Sequence, residues 1–298
     1  MNRPDPTVEA FGETHPAPEH FAGIPIRRRR AALVVLAFGV VVAAAISLAV
    51  GAVSISVSEI VSVLSRRMGV GLGREPSTQV DAVLWGIRLP RVLLGLAVGT
   101  ALAVAGTALQ GVFRNPLADP QLLAIGPGAA VGAVLAMLIL EPTPLPAVVG
   151  GSLGALVTAA VLERIADRSA ADPARLVLIG VALGAVLTAV VGLAVLAADR
   201  AGIPSVDFWI LGSLAGATWR AIFVATPLVV IGVALIASSA RALDLLALGE
   251  SEARHLGVDV DAVRRRTMAG TALVVGAAVG VAGVIGFVGL LIPHVMRR

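Results

Sequence analysis

The side chains that could do chemistry in this chain are mostly arginines and carboxylates, and they lie between long apolar blocks rather than inside them. All 23 basic residues are arginine, and the sequence contains no lysine, cysteine or tyrosine. These absences exclude disulfides, thiolate metal sites, Schiff-base chemistry and the P-loop lysine that holds nucleotide phosphates. We therefore expect no cofactor and no enzymatic activity, because the chain cannot be its own conventional ATPase.

The elements that must position these side chains are apolar segments in a membrane. Of the 298 residues, 57% are hydrophobic and 14% are charged, whereas a soluble domain carries about a quarter charged residues. The net charge of +4 could indicate nucleic acid, but aromatic residues make up only 3% and the arginines flank the apolar blocks. A bilayer accounts for this pattern better, so the sequence predicts an integral membrane protein without a nucleic-acid partner.

The first thirty residues are predicted to form a disordered cytoplasmic tail, separate from a membrane domain over 31–298. Residues 1–26 are rich in Pro, Glu, Thr and His without periodicity. His15 and His20 could bind a metal, but two isolated imidazoles in such a segment are usually not ligands. Four arginines at 27–30 stand directly before the first apolar block, which favours a retained first helix with a cytoplasmic N-terminus over a cleaved signal peptide.

Seven uncharged stretches follow, six of them with roughly the 17 to 25 residues that cross the hydrocarbon core. They are 31–53, 92–112, 122–140, 145–162, 176–198, 221–240 and 267–296. The last is too long for one span, so we expect a break near Gly283, Gly286 and Gly289 and the start of another helix. The apolar stretch 206–215 is too short to cross and is predicted to be interfacial or re-entrant.

The arginines also indicate an orientation. With the tail inside, thirteen arginines fall in cytoplasmic connections and seven on the opposite side, in agreement with the positive-inside rule. Glycines recur at four-residue spacing in several spans. Such pairs let helices pack closely in lipid, or they arise by chance from a composition rich in glycine and alanine. The pairs are Gly95/Gly99, Gly128/Gly132, Gly150/Gly154, Gly180/Gly184 and Gly276/Gly280.

The first six stretches contain no Asp, Glu, Lys or Arg. Ion-coupled carriers generally need ionisable groups within the membrane, so this pattern argues against a secondary transporter. Energy for any transport must then come from outside the bilayer, and the obvious place for it to enter the bundle is the long segment 241–266. Leu243, Leu246, Leu248 and Leu256 can form an apolar face there, on two short helices joined at Gly249. This segment is either a helix pair resting on the bilayer or a docking element for a cytoplasmic partner.

Four sequence blocks resemble the signatures of the FecCD-type permeases. They are IRLPR at 87–91, GTALQGVFRNPLADP at 106–120, LALGESEARHLG at 246–257 and GVIGFVGLLIPHVMR at 283–297, in family order and spacing. The resemblance implies an all-α polytopic membrane protein with the ten-span bundle of ABC importers for iron-siderophores, haem and cobalamin. It further implies a bacterial plasma-membrane location and three kinds of protein partner: a second permease subunit, two cytoplasmic ATPase subunits and an extracytoplasmic solute-binding protein.

The same resemblance implies three groups of site residues. Arg88 and Arg91 would receive acidic residues of the solute-binding protein, a task that suits the planar guanidinium. Asn115 and Leu117 would narrow the exit of the translocation path, while Gln110 either faces the path or bonds to a neighbouring helix. The segment 241–266, which we name the coupling segment, would insert into the ATPase, and the residues implied in this contact are Leu248, Gly249, Glu250, Ala253 and Gly257.

The sequence departs from the family at its C-terminus. Members usually continue through two further spans after the Pro293–His294 pair, whereas this chain stops at Arg298 and looks truncated. The first expectation is a permease for a ferric siderophore, since iron uptake dominates the family. Cobalamin or haem is the alternative within the class, and a non-transporting remnant is the alternative outside it.

Overall fold

The computed structural model describes residues 26–73, 75–169, 173–200 and 211–297. The tail prediction for 1–25, with His15 and His20, lies outside these residues, and so does the first half of the predicted interfacial segment 206–215. Within the described residues the regular structure is entirely helical, which confirms the predicted fold class.

Twelve α-helices are present in the described part of the chain, and a π-helical turn at Leu84–Arg88 joins the third to the fourth. The helices are α1 (Ile26–Ala49), α2 (Val57–Arg67), α3 (Thr78–Val83), α4 (Leu89–Val112), α5 (Ile125–Ile139), α6 (Pro144–Ser169), α7 (Pro173–Arg200), α8 (Trp219–Ser238), α9 (Ala240–Leu246), α10 (Glu250–His255), α11 (Val260–Ala282) and α12 (Val288–Met296).

Five helical stretches in the described residues are long and apolar enough to cross a membrane: Arg30–Ala49, Thr78–Val112, Pro144–Ile165, Arg175–Ala197 and Trp219–Ser238. They correspond to the first, second, fourth, fifth and sixth predicted stretches. The third predicted stretch is the shorter apolar helix α5, Ile125–Ile139. The multi-pass character of the protein is therefore confirmed.

The predicted break in the last apolar stretch is also confirmed. Helix α11 ends at Ala282, and Gly283 takes a positive φ of 69°. Glycine adopts this conformation without the penalty of a Cβ atom, so the helix stops there. The chain runs without helix to Phe287 before α12 begins.

The chain divides into two compact units, residues 1–47 and residues 48–298. In the first unit the described residues form one apolar helix, most of α1. This helix begins at Ile26 and so takes in the arginines at 27–30, which were predicted to belong to the tail.

The second unit is organised around α5, α6 and α11, which pack at very short distances. A Cβ atom at Gly132 would collide with the carbonyl of Gly150 and stand 3.0 Å from Cα of Gly154. A Cβ at Gly280 would lie 2.6 Å from Cα of Val148. Glycine spacing on these three helices therefore serves packing. On α4 the matching pair does not, because nothing lies within 4 Å of a Cβ at Gly99.

Candidate functional site

The coupling segment forms the predicted pair of short helices, α9 and α10, joined at Gly249. The backbone of Gly249 has φ +133°, and a Cβ there would collide with the carboxylate of Glu252. Gly257 follows α10 with φ +84°, so it ends the helix as predicted. Backbone geometry alone therefore requires glycine at both positions, whether or not another protein binds there.

This segment has a small apolar core of its own, formed by Leu246, Ala253, Val260 and Val263. The exposed fraction of Ala253 is 0%, and that of Leu246 is 2%. The methyl group of Ala253 is covered by the segment itself, so its side chain is not part of the outer surface. The residue instead holds α10 against the start of α11.

Two ion pairs brace α10 against α11. Arg264 donates to Oε1 of Glu250 at 2.8 Å, and Arg254 lies 3.2 Å from Oδ2 of Asp261. Both pairs are partly exposed, so each contributes at most about 1 kcal/mol. Their effect is mainly geometric, because they fix the angle between the two helices. Glu250 is thus a bracing residue whose remaining surface is open to a partner.

The outward surface of the coupling segment is apolar at its tip. Leu248 and Leu256 are 62% and 60% exposed, and Gly257 is exposed beside them. We name Leu248, Leu256 and Gly257 the coupling tip. Of the predicted leucine face, Leu246 is buried, and Leu243 points toward α4, where a Cβ at Gly111 would meet it at 3.7 Å. The tip is therefore free for a partner, while Leu243 connects the segment to the end of a span.

The predicted gate lies in the connection after α4. Oδ1 of Asn115 accepts a hydrogen bond from the backbone N–H of Leu117 at 2.9 Å, which fixes a tight turn. Leu117 is 67% exposed at the apex of this turn. Arg114 and Ala124, on either side of the connection, both have positive φ although neither is glycine. The connection is thus a constrained loop that presents one leucine outward.

Gln110 is bonded to a neighbouring helix, which is one of its two predicted environments. Its Nε2 donates to the carbonyl of Gly289 at 3.1 Å, and its Oε1 accepts from the guanidinium of Arg297. Gln110 also lines a cavity of about 500 Å³ between α4, α8 and α9, together with Arg297 and Asp244. The residue is therefore bonded to α12 at the edge of a cavity.

Asp119 is a buried carboxylate in the same connection that the sequence did not single out. It is 3% exposed, and its Oδ1 accepts from the backbone N–H of Gln121 at 2.8 Å. Burial raises the pKa of Asp119, against the lowering effect of backbone hydrogen bonds from Gln121 and Leu122. A Cβ at Gly289 would stand 2.7 Å from the other carboxylate oxygen, so the loop and α12 are in close contact.

The two arginines of the IRLPR block have different environments. Arg88 is 8% exposed, and its guanidinium donates to the carbonyls of Leu48, Ala49 and Val53. Arginine here satisfies the orphan carbonyls at the end of a helix, so it is not presented for docking. Arg91 is exposed, with only a long contact of 3.4 Å to the carbonyl of Ala215.

These features together define a class, the multi-pass helical membrane protein that carries a braced segment between two of its helices. The chain belongs to the FecCD transport family, whose sequence profile matches residues 39–298.

Named relatives agree with this membership. The chain is 41% identical over 218 residues to the cobalamin import system permease protein BtuC of Halobacterium salinarum, a match that covers 73% of this chain and 59% of that protein. It is 40% identical over 232 residues to the hemin transport system permease protein HmuU of Yersinia pestis, covering 74% and 69%. A solved metal-chelate type ABC transporter in an inward-facing conformation is similar in structure, with a TM-score of 0.75, 30% identity, and 90% and 81% coverage.

Proposed function

We propose that this chain is the membrane-spanning permease subunit of a binding-protein-dependent ABC importer, with a ferric siderophore as its substrate. ATP is hydrolysed by two separate cytoplasmic subunits, and a second permease subunit completes the path. The observation that carries the proposal is the coupling segment, which is braced internally and presents Leu248 and Leu256 outward. In this proposal the coupling segment and the N-terminus both lie on the cytoplasmic side of a bacterial plasma membrane.

The geometry suggests how a displacement of the coupling tip would be transmitted to the translocation path. In this proposal helices α9 and α10 move as one body, because the small core joins both helices to α11 and two ion pairs also hold α10 there. Leu243 meets the end of α4 at Gly111, and the loop with Asn115 and Leu117 follows directly. Closure of the ATPases would therefore displace the gate loop as a two-state change in packing.

Uptake measurements test the proposal and its substrate. The chain would be reconstituted with the ATPase and the solute-binding protein of its own organism, and vesicles would be offered labelled ferric siderophore, cobalamin or haemin in turn. We expect ATP-dependent accumulation of the siderophore. No uptake of any of the three, together with no ATPase retained on the permease, would favour a non-transporting remnant.

Cobalamin or haem is the second candidate substrate. The observation in its favour is that the relatives named above are described as cobalamin and hemin permeases. Within the described residues no group of three or more His, Cys, Asp or Glu is placed to hold a metal ion.

Docking of the solute-binding protein is proposed to use Arg91, and Arg88 is no longer part of the proposal. We expect Arg91→Glu to weaken binding of that protein several-fold at low salt, with a smaller effect at high salt because exposed charges are screened. Affinity would be measured by titration of nanodiscs containing the permease at two ionic strengths. The matched control is Arg220→Glu, an exposed arginine outside the IRLPR block. Unchanged affinity of the Arg91 variant at low salt contradicts the role.

A further inference from the structure

Helix α2 presents apolar side chains outward, the reverse of what a water-facing helix does. Val57, Val61 and Met68 are 71%, 48% and 74% exposed. Ser62 and Ser65 on the inner side are only 2% and 3% exposed. Three exposed apolar side chains next to two buried hydroxyls indicate that the outer surface contacts something other than water.

These outward side chains form one continuous stripe. With 100° per residue, positions 57, 61, 64 and 68 fall within one narrow face of the helix. The carboxylate of Glu59 and the guanidinium of Arg66 project from the opposite side by the same geometry. We name Val57, Val61, Leu64 and Met68 the α2 stripe.

The orientation of α2 is fixed by local contacts. A capping box starts the helix, in which the hydroxyl of Ser56 accepts from the N–H of Glu59 at 3.3 Å and the Glu59 carboxylate accepts from the N–H of Ser56 at 2.8 Å. Val63, 1% exposed, packs in a cluster with Ile55 and Leu84. The helix therefore cannot roll to bury its stripe without breaking this cluster.

Aromatic side chains of the kind found at membrane surfaces pack against the C-terminal end of α2. The guanidinium of Arg67 lies 4.9 Å from the ring centroid of Trp85, which lies 4.8 Å from that of Trp219. The indole N–H of Trp219 donates to the carbonyl of Trp85 at 3.0 Å. Both tryptophans stand near the same ends of two candidate spans, where tryptophan is enriched at lipid–water boundaries.

The loop after α2 extends the apolar surface. The hydroxyl of Ser65 accepts from the N–H of Leu72 at 3.0 Å, which folds residues 68–72 back against the helix. Val70 and Leu72 are 63% and 55% exposed on this loop. In the sequence, this stretch belongs to the short connection between two candidate spans, Arg30–Ala49 and Thr78–Val112.

We propose that α2 lies in the plane of the membrane, with its stripe inserted at the boundary between phospholipid headgroups and acyl chains. The occupant of the apolar face is the bilayer itself, because the stripe carries no charge and the helix ends beside Trp85, which packs against Trp219 at the start of a candidate span. Arg66 and Arg67 at the end of the helix lie at headgroup level, where cationic side chains are favoured. This inference rests on the multi-pass character of the protein and not on the proposed transport function.

Spin labels on single cysteines test the proposal, and the native chain has no cysteine to remove. The variants are Val61→Cys and Met68→Cys on the stripe, with Ser58→Cys as an exposed control about 60° to 80° away from them around the same helix. The full chain is reconstituted in vesicles of phosphatidylcholine and phosphatidylglycerol. Collision rates are measured with oxygen, which concentrates among acyl chains, and with a water-soluble nickel chelate.

We expect the ratio of oxygen to nickel collisions at 61 and 68 to exceed that at 58 several-fold. Equal ratios at the three positions overturn the proposal, because the stripe then faces water. Low collision rates with both oxygen and the nickel chelate overturn the proposal as well, because the stripe is then covered by protein. In that case, spin–spin broadening that disappears on dilution with unlabelled protein identifies a second copy of the chain as the occupant. Labels that are water-exposed until the solute-binding protein is added identify that protein instead.

Discussion

Single side chains in this protein have two structural roles. Some bind free backbone carbonyls at the end of a helix, and others fix the angle between two short helices. Arg88 shows the first kind, since its guanidinium binds three carbonyls next to the end of α1. Glu250 shows the second through its pair with Arg264. Both residues belong to sequence blocks that were predicted to contact partners. A sequence block identifies which residues matter, but the contacts decide what each one does.

The Glu250–Arg264 pair predicts a rescue by charge exchange. Glu250→Arg places two guanidinium groups together, so we expect lower stability by about 1 kcal/mol and weaker coupling of ATP hydrolysis to uptake. Arg264→Glu in the same chain restores an attractive pair and part of both properties. Thermal unfolding and the ratio of transported substrate to hydrolysed ATP are the measurements. If the double variant has the same stability and the same ratio of transport to hydrolysis as Glu250→Arg, the ion pair is not the contribution that Glu250 makes to these properties.

Asp119 predicts a pH dependence with a definite sign. Its pKa is raised in the folded protein by burial, so the folded state binds the proton more tightly than the unfolded state does. The stability it contributes is present below the ordinary carboxyl pKa of about 3.9 and is lost as pH rises through the raised value.

Asp119→Asn removes this titration and keeps an acceptor for the N–H of Gln121. We expect the melting temperature of the variant to equal or exceed that of the native chain near neutral pH, with the difference shrinking on acidification. Melting would be followed from acidic to neutral pH in one detergent. A variant that loses the same stability at every pH would instead show that the carboxylate makes a contact which the amide cannot replace.

The helices of the bundle differ in how closely their backbones approach one another. Helices α5, α6 and α11 meet through glycines, whereas the glycines of α4 at 95 and 99 face a side chain or open space. The same four-residue spacing thus has a packing role in one place and none in another. Sequence alone left both explanations open, because spacing shows which residues share a face and not what that face meets.

This contrast predicts opposite effects for one substitution. Gly132→Ala adds a methyl group against the carbonyl of Gly150, so we expect a loss of about 1 to 3 kcal/mol from overpacking. Gly99→Ala meets nothing within 4 Å, so stability should be unchanged or higher by up to about 1 kcal/mol through helix propensity. The fraction remaining monodisperse after heating in detergent measures both. Equal loss in the two variants is incompatible with glycine-mediated contact between α5 and α6.

At the scale of the whole molecule, hydropathy predicted most of the architecture. The positions of the spans, the break at Gly283 and the two short helices joined at Gly249 follow from local patterns of length, apolarity and glycine. The burial of Ala253 and Arg88 could not be predicted in this way, because it depends on which distant segments pack over each side chain. The stripe of α2 was missed because short amphipathic helices have the same pattern whether they face protein or lipid.

The central claim is that energy reaches this bundle through the coupling tip. The most direct measurement is retention of the ATPase subunits on the purified permease with Leu248→Asp and Leu256→Asp combined. Leu211→Asp is the matched control, since Leu211 is 82% exposed and lies beyond the opposite end of α8. We predict that the control retains the ATPase like the native chain and that the tip variant loses it at least tenfold, with the same monodisperse profile. Full retention by the tip variant would contradict the claim.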